Sequence, residues 1–316
     1  MSDDQPTKYS CPLLTLLCVP SAQTESVVNT TDGRTLVDRK HHQGFEGKYR
    51  GIVKLYLLFE KQVPNVTAEQ EAYWAIATGW LVSGDVVVTA GHCAYDYDNA
   101  LGRLIRFKAY MGYEGRHSIK SSNVEHQYGL AVATTPEWIN TDGGDQRRDV
   151  AFIKLNRPFK TVKKFFTWEP TPISQGVELV MVGYPGDLMS GIERGAKMYE
   201  MFKRTDYNLV TSPLHMLQYK IDMYGGWALL LLPVGNLISS VGNSGSPVIK
   251  SGQSSPAAIG VHVLGGYNSN SASVIGGCYG QRCRVAAKLD SIPVEAQTAD
   301  PNNRTWLYKW AVETTE

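Results

Sequence analysis

Apolar and polar positions are unevenly patterned along this chain. Up to residue 43 they show no period: the segment is polar, with Thr31-Asp32-Gly33 a turn signal and Lys40-His41-His42 a small basic knot. It is expected to be an irregular tail or pro-segment, and its two histidines a solvated pair rather than metal ligands. From Gly51 onward, short runs rich in Val, Ile, Leu and aromatic residues follow one another, bounded by Gly, Asn, Asp or Pro, which is the signature of strands. The first series predicts strands over Ile52 to Phe59, Trp74 to Val82, Val86 to Val88 after the Ser83-Gly84-Asp85 turn, Leu104 to Met111, Leu130 to Thr134 and Val150 to Leu155. A second series covers Val177 to Val182, Gln218 to Met223, Pro247 to Lys250 and Ala258 to Leu264. Between them, Asn156 to Pro172 is basic, carries three prolines and reads as a connection. Two β halves of roughly 110–120 residues each fit ordinary domain sizes. Asn303 to Val312 is expected to form a short helix packing Trp306 and Trp310. No internal repeat is visible.

Composition narrows the class without naming a chemistry. A hydrophobic content of 43% and a charged content of 19% suit a soluble globular protein of 316 residues. A net charge of +1 offers no general field for nucleic acid or an anionic membrane, so neither partner is expected. The five cysteines are Cys11, Cys18, Cys93, Cys278 and Cys283. An odd count leaves at least one unpaired in a monomer, and no C-x-x-C pair suggests zinc. Cys278 and Cys283 stand close enough for a loop-closing disulfide, and equally for a reduced pair. The start, Met1-Ser2-Asp3-Asp4, is acidic where a signal peptide is basic, and Pro12 to Val19 is only a short apolar run. Three Asn-x-Thr sequons, at Asn29, Asn65 and Asn303, do not fix the compartment.

Three stretches carry chemistry together. Gly242-Asn243-Ser244-Gly245-Ser246-Pro247 sets a serine between glycines on a tight turn. Glycines admit a substrate carbonyl to the backbone, and the N–H groups of Gly242 and Ser244 suit an oxyanion hole. Alone, such a stretch is usually a surface turn. Thr89-Ala90-Gly91-His92-Cys93 places His92 directly after a buried-type strand, where it can act as general base toward Ser244. Arg147-Arg148-Asp149 leads into the apolar Val150 to Leu155, so Asp149 is placed to fix the His92 tautomer. The chain order His, Asp, Ser separates this set from two other arrangements of the same three residue types.

Through TAGHC, RRDVAFIKL and GNSGSPV the sequence resembles the trypsin-like serine endopeptidases. It is more specifically similar to the glutamyl endopeptidases, through Val182-Gly183-Tyr184-Pro185-Gly186-Asp187, GNSGSPV and Ile259-Gly260-Val261-His262-Val263-Leu264-Gly265-Gly266. The likeness covers about residues 48 to 280. It implies an all-β fold of two perpendicular antiparallel β-barrels of the chymotrypsin/trypsin type, with the triad His92, Asp149 and Ser244 in the cleft. A tail over 1–43, a peptidase domain over 44–290 (barrels at about 44–160 and 165–290) and a C-terminal tail over 291–316 are expected. The resemblance further implies that His262 binds the substrate carboxylate, by a charge-assisted bond that neutral side chains cannot make. It implies secretion, protein or peptide substrates, a monomer, and no cofactor or metal. Two departures from animal trypsins agree with the glutamyl branch. Residue 243 is Asn, so the carboxylate that normally pairs with a new N-terminus is absent. Thr78 stands where the partner of Cys93 is expected, which implies that Cys93 is a free buried thiol unless it pairs elsewhere.

One run departs from the family pattern. Relatives read approximately Asp-Thr-Tyr-Gly-Gly-(Asn/Gln)-Ser-Gly-Ser-Pro; here Asp222-Met223-Tyr224-Gly225-Gly226 is separated from Asn243-Ser244 by sixteen mostly apolar residues, Trp227 to Gly242. The run is too short and Pro-broken for a membrane span, which takes about 20 apolar residues. It is either an apolar loop that alters substrate choice or a retained intron, and its exposure cost favours the intron. If it is real, Gly242 keeps the oxyanion role; if spliced out, Gly226 takes it. Removing the run is expected to give a more soluble form, at least ~10²-fold more active on Glu substrates. The chain is thus read as a serine endopeptidase cutting after Glu or Asp. The alternative is a catalytically inactive binding protein of the same fold, with residues 227–242 distorting the site. A third reading, basic specificity from Asp222, is discounted because the glutamyl enzymes carry Asp there too.

Overall fold

The computed structural model describes residues 32–62, 74–212, 214–221, 242–252, 256–265, 269–274 and 309–312. Thr35–Leu36 (β1) precedes a single helical turn, Arg39–His42 (α1), whose N-terminus is capped by the Asp38 carboxylate accepting from the Lys40 N–H. Residues 32–43, expected to be irregular, are therefore partly regular. His42 is also not solvated: it is buried, and that burial lowers its pKa to about 4 against the opposing pull of Glu114.

The strands of the first half are Ile52–Phe59 (β2), Ala75–Ser83 (β3), Val86–Thr89 (β4), Tyr95–Asp96 (β5), Gly102–Met111 (β6), Glu125–Thr134 (β7) and Ala151–Leu155 (β8). A short helix, Pro136–Asn140 (α2), lies between the last two and is capped by Thr135, whose hydroxyl accepts from the Trp138 N–H. Hydrogen bonding runs β7-β8-β4-β3-β2-β6 and returns to β7, so six strands close into a barrel. Closure removes the unpaired edges an open sheet would present. Leu55, Leu81, Val87, Phe107 and Ile153 share the face that fills its interior.

The second half comprises Thr167–Trp168 (β9), Ser174–Gly183 (β10), Met189–Ser190 (β11), Glu193–Arg194 (β12), Tyr199–Asn208 (β13), Leu217–Tyr219 (β14), Pro247–Lys250 (β15), Ala257–Leu264 (β16) and Asn270–Val274 (β17). Except for the separate β11–β12 hairpin, these form a curled half-barrel sheet in the order β1-β13-β10-β15-β16-β17-β14, with β9 parallel to β16. Because successive strand residues face opposite sides, β10 serves two cores. Val180 and Val182 join the core that continues from the first barrel, while Leu179 and Met181 join a separate cluster with Leu217, Val248 and Ile259. Burial on both faces explains why its second half reads as an unbroken apolar run.

The C-terminal helix expected over Asn303 to Val312 is corrected. Lys309–Val312 is a strand (β18), paired parallel with β7 from Lys309↔Ala131 to Val312↔Thr134; the remainder of that segment lies outside the described residues. Tryptophan and valine suit a pleated surface, and beyond the closing β6 contact the upper part of β7 offers an edge to pair with.

Candidate active site

Strand register brings His92 and Asp149 together. β4 pairs antiparallel with β8, ending at Thr89↔Ala151. The chain leaving β4 therefore runs beside the chain entering β8. A short 3-10 turn, Gly91–Cys93, then lifts the His92 ring over Asp149. Its Nδ1 lies 2.8 Å from Asp149 Oδ2, and the His92 backbone N–H donates to Asp149 Oδ1, also at 2.8 Å. Both carboxylate oxygens are thus committed to one histidine. Asp149 is fully buried, whereas the His92 side chain keeps 18% exposure. Burial works against the imidazolium, but the Asp149 charge outweighs it and holds the His92 pKa well above the usual value. A carboxylate at Nδ1 selects the tautomer that leaves Nε2 to accept a proton. The buried Trp138 of α2 stands 6.5 Å from the His92 ring, and its indole N–H donates to the Tyr95 carbonyl.

Ser244 sits in the turn from Gly242 to Gly245 that leads into β15 and is 3% exposed. Gly245 has φ of +85°, and a Cβ there would lie 2.1 Å from Thr89 Oγ1 and 3.0 Å from Ala90 N. Only glycine fits both the dihedral and the contact. The turn carrying Ser244 is therefore pressed against the strand end that leads to His92. A Cβ at Gly242 would lie 2.1 Å from the Tyr184 carbonyl oxygen, which explains the glycine there as well.

His262 lies on β16, fully buried, with Nδ1 2.6 Å from the Tyr219 hydroxyl of β14. It is also bonded to the Ser244 turn: Gly245 N–H donates to the His262 carbonyl at 2.8 Å, and His262 N–H donates to the Ser246 carbonyl at 2.9 Å. All five residues singled out in the sequence, His92, Asp149, Gly242, Ser244 and His262, thus belong to one contiguous region. Residues 227–241 of the apolar run lie outside the described residues, as do Cys11, Cys18, Cys278 and Cys283. Among the described residues Cys93 is a buried free thiol.

Sequence reasoning missed the roles of three neighbours. Trp138 follows a Thr-Pro-Glu start, a legible helix-capping signal. Tyr219 and Thr78 carry no local signal, because their roles depend on partners more than forty residues away.

The barrel, the half-barrel sheet and the histidine–carboxylate pair define a class. The family model described as Trypsin matches residues 64–282, and the chain belongs to that family. Among characterised relatives, it is similar to the glutamyl endopeptidase of Bacillus licheniformis, with 26% identity over 204 residues, covering 61% of this chain and 53% of that protein. The chain thus spans about half the length of that relative. Among solved structures, a Glu endopeptidase in complex with MPD superposes with a TM-score of 0.59 at 21% identity, covering 83% of this chain and 99% of that one. Human heparin binding protein gives a TM-score of 0.52 at 12% identity, covering 83% and 98%. At such identities these structures establish the fold alone.

Proposed function

We propose that the protein is a serine endopeptidase that cuts after Glu or Asp through an acyl-enzyme. The observation that carries this is the two-point grip of buried Asp149 on His92, beside a turn that holds a serine between glycines. Ser244 Oγ attacks the scissile carbonyl while His92 Nε2 takes its proton. Asp149 steadies the imidazolium that forms, and the backbone N–H groups of Gly242 and Ser244 receive the oxyanion. His92 then returns the proton to the leaving amine, and water repeats the sequence on the acyl-enzyme. No step calls on a cofactor.

The acidic preference rests on the family relative and on His262. A buried imidazole steadied by a tyrosine hydroxyl at Nδ1 is fit to face a carboxylate. Replacing His262 by Ala is expected to lower the Glu-over-Gln ratio of kcat/KM much more than it lowers binding in general. A site built around one polar group can discriminate by up to ~10⁴. An unchanged ratio would make His262 a structural residue.

Turnover of Glu-containing peptides, with phosphonate labelling of Ser244, tests the whole proposal. Ser244→Ala is expected to fold normally and to retain only the ~10³–10⁴-fold residual acceleration of binding and oxyanion hole over water. Wild-type turnover by the purified variant would remove Ser244 from the mechanism.

A further inference from the structure

Thr78 stands on β3 and is fully buried, out of reach of any substrate. Its polar groups meet the nucleophile turn, the Tyr184 segment behind it and the end of β4. The Thr78 hydroxyl donates to the Gly242 carbonyl at 2.7 Å and accepts from the Tyr184 N–H at 2.9 Å. Its backbone N–H donates to the Ser244 carbonyl at 2.9 Å. Its carbonyl accepts from the Thr89 hydroxyl at 2.9 Å, and Thr89 ends the strand leading to His92.

Peptide geometry gives these bonds a consequence. A trans peptide is rigid, with its C=O and N–H pointing in opposite directions. The peptide that carries the Ser244 N–H has the Asn243 carbonyl on its other side, and that carbonyl accepts from the Ser246 N–H at 2.9 Å. Thr78 fixes the peptide before it, through the Gly242 carbonyl, and the peptide after it, through the Ser244 carbonyl. Gly242 lacks a Cβ and would otherwise rotate readily. We propose that Thr78 is a positioning residue for the oxyanion hole, its hydroxyl holding the Gly242–Ser244 backbone in register with His92. The proposal rests on the peptidase reading of Ser244 given above.

The hydroxyl is separable from the shape of the side chain. Thr78→Val keeps a β-branched residue of similar size on the strand but leaves the Tyr184 N–H and the Gly242 carbonyl without this bond, whereas Thr78→Ser keeps the hydroxyl. With a Glu peptide substrate, Thr78→Val is expected to lose kcat toward the ~10²–10³-fold of a missing oxyanion donor. KM should change little, the pattern of an interaction used only in the transition state. Thr78→Ser should stay close to wild type. Hydrogen exchange over residues 242–246 should accelerate in Thr78→Val and not in Thr78→Ser. Wild-type kcat in Thr78→Val, equal losses in both variants, or unchanged exchange over 242–246 would each overturn the assignment. Should Thr78→Val not fold, Thr78→Ala carries the same expectations. A wild-type protein that neither cleaves peptides nor takes up phosphonate would end the peptidase reading, while the exchange measurement would still decide whether Thr78 holds the turn.

Discussion

At the scale of single residues, His92 meets two opposing demands. A general base must be neutral to accept a proton, yet Asp149 holds the imidazolium form well above the ordinary histidine pKa of 6.5, against the effect of burial. Catalysis should therefore switch on late: kcat/KM is expected to rise with pH through a midpoint above 6.5. Stability has the opposite sign. A folded pKa raised above the unfolded one contributes stability that is full at low pH and is lost as pH rises through the folded value. Asp149→Asn should move the rising limb to lower pH and cut kcat on the order of 10⁴-fold, because the tautomer is no longer selected. A wild-type limb centred at or below 6.5 would show that the pair is weaker in solution than its geometry implies. The residues of this pair were legible in the sequence because each is flanked by a strand whose apolar run fixes its place. Thr78 and Tyr219 were not, since a single hydroxyl within a strand reveals nothing of which distant backbone it meets.

At the scale of elements, strands were legible where they are apolar and hidden where they are not. Tyr199–Asn208 (β13) buries Met201, Thr205 and Tyr207 and shows charged residues outward, so it reads as polar chain. Asn270–Val274 (β17) is buried through Asn270, Ser271, Ala272 and Ser273, small residues that resemble a loop. In both, pairing with neighbouring strands decides the conformation, and composition does not report it. The reverse case is Lys54, fully buried in the apolar β2, with its ammonium donating to the Arg194 and Gly195 carbonyls and lying 3.5 Å from Glu193. The Tyr56 and Tyr113 hydroxyls and the Arg116 N–H also donate to Glu193, so this cluster docks the β11–β12 hairpin onto the first barrel. Removing one partner of a buried pair costs roughly 3–5 kcal/mol, and Glu193→Gln should destabilise by that order in urea unfolding. Burial lowers the Lys54 pKa from 10.5 to about 8, with Glu193 opposing. Between those values the unfolded chain holds the proton that the folded one has released, so Lys54 makes stability rise with pH in that window. Lys54→Met should flatten the rise, and parallel curves for the two proteins would contradict the buried amine.

At the scale of the whole molecule, the Ser244 turn belongs to both halves. Thr78 grips it from the first barrel, and His262 grips it from the second sheet. The fold class and the site were therefore readable together, since the motifs that mark the site also mark the ends of the strands that build it. The sixteen-residue run from Trp227 to Gly242 is what sequence alone treats as disruptive, since it enters two residues before the nucleophile. Yet Gly242 closes the run against Tyr184 and is bonded to Thr78, so the backbone on the Ser244 side is seated with the run attached. Deleting Trp227 to Gly242 places Gly226 before Asn243, and Gly226, also lacking a Cβ, fits the same close approach to the Tyr184 carbonyl. The deletion is therefore expected to fold, to be more soluble for want of a largely apolar stretch, and, instead of the gain in activity the sequence suggests, to lose less than the ~10²–10³-fold that a missing oxyanion donor costs. Soluble yield and kcat/KM on Glu peptides measure both effects. A loss of that full size in a folded deletion variant would show that the run is a working part of the site, and that Gly226 cannot replace Gly242.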